Sequence, residues 1–400
     1  MPDIARRVGA AQDSPIIAMT ARARALREAG HRVIGLSIGE PDFPTPAHAI
    51  EAAHAAALRG ETKYPPQEGT RALKQAVQRM FQRDQGLEFA LDQIIVANGA
   101  KQMLFNAMLA TVEPGDEVVI PAPYWSSYPL TAELLGGIPV FVDCPQDRGF
   151  KPRPQDIDAA ITPRTRWLVL NFPNNPTGAA CSAEELRAIG RVMLRHPHVW
   201  IMSDDIYAHL FYGNFAYTTL AAVEPGLRDR ILTVSGVSKT YAMTGWRVGF
   251  GAGPRELIRA MGTVHGHATA GVSTLGQAAA VAALDGPQDL VAERAAIYRR
   301  RRDLVVDALN AIPGVFCPRP DGAFYVYPSV AGCIGRTTAG GRRLQTDADF
   351  AAALLEEQQV ATVHGSAFGV SPHLRLSYAT DEAALAEGCR RIAAFVAGLR

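Results

Sequence analysis

The stretch VSGVSKTYAMTGWRVGFGAG, residues 234–253, closes one β-branched run (ILTVS, 231–235), crosses a polar turn and enters a second apolar run (VGFGA, 248–252). Lys239 sits in the turn among small residues, with Trp246 and Arg247 a few positions on. A lysine that only decorates a surface needs no such setting. The pattern reads strand, turn, strand, with a single amine held in the turn.

Upstream, the same kind of short apolar run recurs at 94–97, 117–121, 138–142, 167–171 and 199–203. Runs this apolar belong to strands covered on both faces. Helical patterns separate most of them, among them 101–112 and 183–194. Ser182 with Glu185 three residues on predicts a capping box for the second. The alternation predicts an α/β fold, a mostly parallel seven-stranded sheet flanked by helices. The ends read differently. A helix (18–29), a strand (33–37) and the turn-rich GEPDFPTP come first; a long helix (288–309), strands near 324–327 and 374–378 and a closing helix (382–399) come last. The expected division is a large domain over 47–287 and a smaller α+β domain made of 1–46 with 288–400.

The 400 residues exceed one ordinary domain of roughly 150. Forty basic and 39 acidic residues leave a formal charge of +1. Nucleic acid and acidic membranes select a basic surplus or patch, so neither partner is expected. Cys144, Cys181, Cys317, Cys333 and Cys389 are scattered without CxxC spacing, which predicts no disulfide or zinc framework and a reducing, cytoplasmic setting. The first fifteen residues lack the apolar core of a secretory signal, and no run of ~18 apolar residues is present.

Ligands of open α/β sheets gather outside the carboxyl ends of the strands. Five of these ends supply Asn98-Gly99-Ala100-Lys101, Tyr124-Trp125, Asn171 to Gly178, Asp204 to Tyr207, and Ser238-Lys239. A helix start preceded by glycine offers free N–H groups to a phosphate. An aromatic ring offers a heterocycle a flat surface. A carboxylate keeps a pyridine nitrogen protonated, amide and phenol donors stabilise a ring phenolate, and a neutral lysine forms a Schiff base with an aldehyde. Together they match pyridoxal 5′-phosphate.

SKTYAMTGWRVG, NNPTG, SDDIY, NGAKQ, PYWSSYP, IGEPDFPTP and LRLSYA, in that combination, resemble the signatures of fold-type I pyridoxal-phosphate aminotransferases. The likeness is strongest to their prokaryotic aspartate aminotransferase branch and runs over residues 14–398. By that resemblance Lys239 carries the cofactor as an imine and moves the proton between substrate Cα and cofactor. Asp204 pairs with the pyridine nitrogen, Tyr207 and Asn175 hold the ring phenolate, and Trp125 stacks on the ring. Gly99, Ala100 and Arg247 hold the phosphate, with Lys101 and Ser235 or Ser238 beside them. Tyr64 reaches the phosphate from a partner subunit, which implies a homodimer with shared active sites. Arg375 grips the substrate α-carboxylate as a bidentate fork. Gly39 offers backbone to the same carboxylate, and Trp125 and Asn175 also face substrate. Lys101 is open between a helix-surface lysine and a partner for a distal substrate carboxylate.

The implied reaction moves an amino group from an L-amino acid to a 2-oxo acid such as 2-oxoglutarate by a ping-pong mechanism. Aspartate or glutamate comes first as donor. Aromatic, alanine, prephenate or basic amino acids stay open, as does a C–S lyase on the same fold. Three features depart from the resembling pattern. Gly236 replaces a Ser or Thr, His364 replaces the proline of PGSAFG, and HGHATAGVST (265–274) replaces a more polar segment. They bear on phosphate affinity or substrate scope. His265, His267 and His364 read as solvated loop residues or as ligands, too dispersed for a metal. GFGAG (249–253) mimics part of a nicotinamide-binding fingerprint, with its third glycine at the wrong spacing. A ligand-sensing regulator would need a DNA-binding domain, for which the sequence outside 14–398 leaves no room.

Overall fold

The computed structural model describes residues 5–9 and 15–400. Residues 1–4 and 10–14, assigned above to the smaller domain, lie outside the described residues. After the short Ile34–Gly35 (β1), the strands Ile94–Ala97 (β2), Glu117–Ala122 (β3), Ile138–Asp143 (β4), Thr165–Asn171 (β5), Trp200–Asp204 (β6), Ile231–Gly236 (β7) and Gly249–Ala252 (β8) follow in chain order. Strands β2 to β8 form one sheet in the order β2-β8-β7-β6-β5-β3-β4. Each expected strand is present, with ends within two residues. Strand β8 runs antiparallel to both neighbours, and the other pairings are parallel.

Two consequences follow for the site. The carboxyl ends of β2, β3, β5, β6 and β7 share one edge. The chain leaves β7 at that edge, makes its turn there and re-enters the sheet backwards as β8. One turn therefore leaves both Lys239 and Arg247 at the ligand edge.

The strands are apolar because both faces are covered. Ile94, Val96, Leu168 and Leu170 face one core, and Ile95, Ala97, Trp167 and Val169 the other. The edge strand β4 is the exception, with Ile138 and Phe141 exposed. The helix Ala183–Met193 starts with the expected capping box. Ser182 Oγ accepts from the Glu185 amide, and the Glu185 carboxylate accepts from the Ser182 amide at 2.8 Å. The helix Ala100–Leu109 has Gly99 as its N-cap and no side-chain cap, so its first N–H groups face the sheet edge unclaimed by a side chain.

A further core joins the helices Asp289–Asn310, Asp347–Gln358 and Glu382–Ala397 to Tyr325–Val326 (β9), Val360–Ala361 (β10) and Leu374–Ser377 (β12), and Val363 of Val363–His364 (β11) packs in a small cluster with Phe368 and Tyr327. Strand β10 pairs in parallel with β1, while β11, β12 and β9 form an antiparallel sheet. Met19, Ala23 and Leu36 enter this core from the N-terminal segment, and Tyr207, Leu210 and Tyr212 from beyond β6. The helix Asp289–Asn310 spans both regions: Leu290 and Val291 pack on the main sheet core, Tyr298 and Val305 on the other.

Ser182→Ala removes one capping bond at a half-buried helix start. We expect a stability loss of about 1 kcal/mol, seen as a lower urea midpoint with unchanged slope and unchanged activity.

Candidate active site

A cavity of 450 Å³ opens at the ligand edge, between the main sheet and β9 and β12. Lys239 lies in it, and its Nζ donates to the Gly39 carbonyl at 2.7 Å. Burial pushes the amine down to about 8; Arg375 and Arg247 push the same way, against Glu40 and Asp204. Asp204, the last residue of β6, is 3 % exposed. Its carboxylate accepts from the Tyr128 hydroxyl at 2.7 Å and from the Ile206 amide at 3.3 Å. Burial raises its pKa to about 6, with those two bonds and Lys239 opposing.

Above these groups, Trp125 meets Tyr128 edge to face, with centroids 5.4 Å apart. Lys101 Nζ sits 4.9 Å from the Trp125 ring centroid, and burial, then Arg247, lowers its pKa. Arg375, 2 % exposed on β12, donates to Asn175 Oδ1 at 3.1 Å and to the Ser37 carbonyl at 2.6 Å. Its Nε has no partner although it is buried. Tyr207 and Tyr325 bring their hydroxyls to 3.0 Å. Asn171 donates to the Asp204 carbonyl and accepts from the Asn175 amide, so the ends of β5 and β6 are locked together.

Two glycines are required by close approach. Gly99 has φ +84°, and a Cβ there would collide with the Arg247 guanidinium. Arg247 itself holds φ +55° and donates to the Asn98 and Thr244 carbonyls. A Cβ on Gly39 would collide with the Tyr325 hydroxyl.

The family model for aminotransferases of class I and II matches residues 31–392. The chain belongs to the class I and II aminotransferases. It is a transaminase of fold type I. It is 53 % identical over 390 residues to an aspartate aminotransferase of Rhizobium meliloti (strain 1021), covering 98 % of this chain and 95 % of that one. It is 54 % identical over 386 residues to an aspartate/prephenate aminotransferase of Cereibacter sphaeroides (strain ATCC 17029 / ATH 2.4.9), covering 96 % of each. The crystal structure of the aspartate aminotransferase from Rhizobium meliloti superimposes with a TM-score of 0.97 at 52 % identity over all of both chains. That of the Thermus thermophilus aspartate aminotransferase with maleate gives 0.91 at 39 %, over 99 % of this chain and all of the other.

Of the residues singled out in this transaminase's sequence, Gly39, Ala100, Lys101, Trp125, Asn175, Asp204, Tyr207, Ser238, Lys239, Arg247 and Arg375 line one cavity. Gly99 adjoins it through Arg247. Ser235 does not line it; it lies within β7 opposite Phe250. Tyr64 is 91 % exposed and lies in a different groove, with Thr269 to Leu275. Asp205, beside Asp204 in the sequence, is 3 % exposed, accepts from Ser203 Oγ at 2.9 Å, and burial raises its pKa to about 7. His265 is not a solvated loop residue either: it is fully buried in the helix Arg255–Ala268, beside Asn106. His267 is exposed, and His364 is half-buried in β11. None of the three lines the cavity. At Gly236 a Cβ would press to 3.0 Å on the Val248 carbonyl, so β8 leaves little room for the expected Ser or Thr. No cluster of three or more His, Cys, Asp or Glu among the described residues is arranged for a metal. No helix among them is long and apolar enough to cross a membrane.

Tyr128, Tyr325, Asn171, Glu40 and Thr244 also line the cavity without having been assigned from the sequence. Tyr128 had a usable signal: it stands three residues after Trp125 in PYWSSYP, a spacing that puts both on one side of a helical turn.

The lowered amine pKa is directly testable. In the protein with nothing bound at Lys239, acylation of Lys239 followed by peptide mass spectrometry should titrate with a midpoint near pH 8. Exposed lysines should titrate near 10.4. A midpoint near the exposed value removes the argument from burial.

Proposed function

We propose that this transaminase binds pyridoxal 5′-phosphate on Lys239 and transfers the amino group of aspartate or glutamate to a 2-oxo acid such as 2-oxoglutarate. The carrying observation is one cavity holding a lysine pushed to about 8, a buried carboxylate pushed to about 6, and a buried arginine fork. The residues fit the cofactor. The close approach of Gly99 to Arg247, with the uncapped helix start behind it, suits a phosphate. Asp204 is buried with a neutral phenol as its side-chain donor, so a cationic ring nitrogen would offset the cost of its charge. Bound pyridoxal phosphate supplies an aldehyde for the amine and an electron sink for the charge that develops at Cα.

The protein's own residues do the rest. Ala100, Ser238 and Arg247 take the phosphate, and Trp125 covers the ring. Tyr207 and Asn175 face its hydroxyl. Arg375 fixes the α-carboxylate, with Asn175 and the Gly39 backbone beside it, which sets which Cα bond faces Lys239. With a pKa of about 8, the Lys239 amine has a usable neutral fraction near neutrality and takes the Cα proton as general base. Lys101, its Nζ held over Trp125, takes the distal carboxylate. Prephenate, the second reading, is supported by the name of the Cereibacter sphaeroides relative. It too carries two carboxylates, so Arg375 and Lys101 serve it equally.

The same reading includes a homodimer. The exposed Tyr64 reaches the partner's phosphate corner, where Arg247 is exposed in the single chain. It also retains the two-domain division at 47 and 287, supported by the separate core around the helices after 289. A cytoplasmic setting is supported by five buried, unpaired cysteines.

An amino-donor panel with 2-oxoglutarate tests the reaction. Aspartate and glutamate should lead, initial-rate lines should be parallel, and borohydride should fix the cofactor on Lys239. Intersecting lines, or no adduct on Lys239, overturn the reading. Lys239→Ala should lower turnover roughly 10²–10⁴-fold. Lys101→Ala should raise KM for aspartate roughly 10- to 100-fold, the range of one charged hydrogen bond, and leave alanine unaffected. Equal effects on both donors would rule out the distal-carboxylate role.

A further inference from the structure

The guanidinium carbon of Arg375 lies between two rings, 4.7 Å from the centroid of Tyr325 and 4.9 Å from that of Phe368. Tyr325 belongs to β9, and its hydroxyl meets that of Tyr207. Phe368 ends the single turn Gly365–Phe368 and meets Tyr327 edge to face, with centroids 6.2 Å apart. The Tyr327 hydroxyl also lies 2.8 Å from the Gly365 carbonyl at the start of that turn.

A second hold on the turn comes from Asp347, which is fully buried at the start of the helix Asp347–Gln358. Its carboxylate accepts from the Ser366 amide at 3.0 Å, from Ser366 Oγ at 2.9 Å and from the His373 amide at 3.1 Å. His373 stands two residues before Arg375. One carboxylate therefore ties the Phe368 turn to the strand that carries the arginine. His364 extends the line, with Nδ1 2.6 Å from Ser366 Oγ. A hydroxyl has one proton, and here it goes to Asp347. The Ser366 oxygen is left to accept, so His364 Nδ1 carries its proton and donates. The turn also reaches the other wall of the cavity, because the Phe368 carbonyl accepts from the Tyr124 amide at 3.0 Å, next to Trp125.

We propose that His364 is a positioning residue for Arg375: through Ser366 and Asp347 it fixes the turn that sets Phe368 against the guanidinium, and so the aim of the fork. This rests on Arg375 taking the α-carboxylate, as proposed above. Proline, which the resembling pattern carries at 364, has no side-chain donor, so in this chain a hydrogen bond replaces a rigid ring. The bond is partly solvated, and its effect is that of one net hydrogen bond.

The test uses the holoenzyme. His364→Ala should raise KM for amino acid and oxo acid alike by about two- to tenfold, with kcat within about twofold. His364→Asn, whose amide nitrogen stands where Nδ1 does and keeps an N–H donor, should recover most of the loss. The Kd for maleate, a dicarboxylate that carries no amino group to transfer, should rise by the same factor in calorimetry, a readout that needs no turnover. Cofactor affinity should not change. Ser366→Ala should reproduce the effect and Ser366→Thr should spare it. Unchanged KM and Kd in His364→Ala, no recovery by Asn, or a parallel loss of cofactor affinity overturns the proposal. Arg375→Leu separates the two claims: if it binds maleate as the parent does, the reading of Arg375 fails at its root.

Discussion

The site depends on holding the Lys239 amine close to neutrality inside a cavity full of charge. Burial alone disfavours the ammonium form. Arg375 and Arg247 disfavour it further, while Glu40 and Asp204 favour it, and the balance settles at about 8. Full exposure would leave an amine protonated at working pH. Burial without the two carboxylates would leave the arginine charges uncompensated. The same balance explains why Asp204 tolerates its position: the cost of burying it is partly offset by Tyr128, the Ile206 amide and the lysine itself.

Sheet topology makes that balance possible. Groups from β2, β5, β6 and β7 are far apart in sequence and adjacent at one edge because those strands run in one direction. The reversal of β8 keeps Arg247 at the same edge as Lys239. The close contacts then leave little slack: at Gly99 and at Gly39 backbone comes so near a functional side chain that a methyl group would displace it. Arg375 arrives from the separate β12 sheet and closes the cavity with bonds to Asn175 and to the Ser37 carbonyl.

Most of this was legible in the sequence because it is local. Short apolar runs mark strands covered on both faces, and the residues just past each run mark the ligand edge. What the sequence hid is what distant segments do to one another. The Tyr128–Asp204 bond joins residues 76 apart, and Tyr207–Tyr325 joins residues 118 apart. Nothing in the sequence separates Asp205 from Asp204, yet Asp204 lines the cavity while Asp205 is buried outside its lining against Ser203. Ser235 was one of two serines placed beside the phosphate where Gly236 lacks a hydroxyl, but the strand continues to Gly236 and keeps Ser235 within the sheet, while Ser238 lines the cavity. The minor strands came out shorter than expected. Strand β1 pairs only with the two residues of β10, so its ladder ends where its one partner does.

Charge also bears on which substrates suit this cavity. The chain as a whole is nearly neutral at +1. The cavity is not: Lys101, Lys239, Arg247 and Arg375 line it against Asp204 and Glu40. In the proposed reading, a bound phosphate, about −1.5 to −2 at neutral pH, would answer the excess at the Arg247 corner, and a ring cation beside Asp204 would leave that carboxylate paired. Arg375 and Lys101 would then remain, one on β12 and one on the helix after β2. Arg375 is buried, and a buried cation without a counter-charge is costly; Lys101 is exposed at the rim, with its Nζ over Trp125. An amino acid with a single carboxylate would answer only one of the two, whereas a dicarboxylate would answer both. On that reading charge balance favours aspartate, glutamate and their oxo acids over neutral amino acids, with the larger share of the gain at Arg375, and it does so before any detail of side-chain shape is considered.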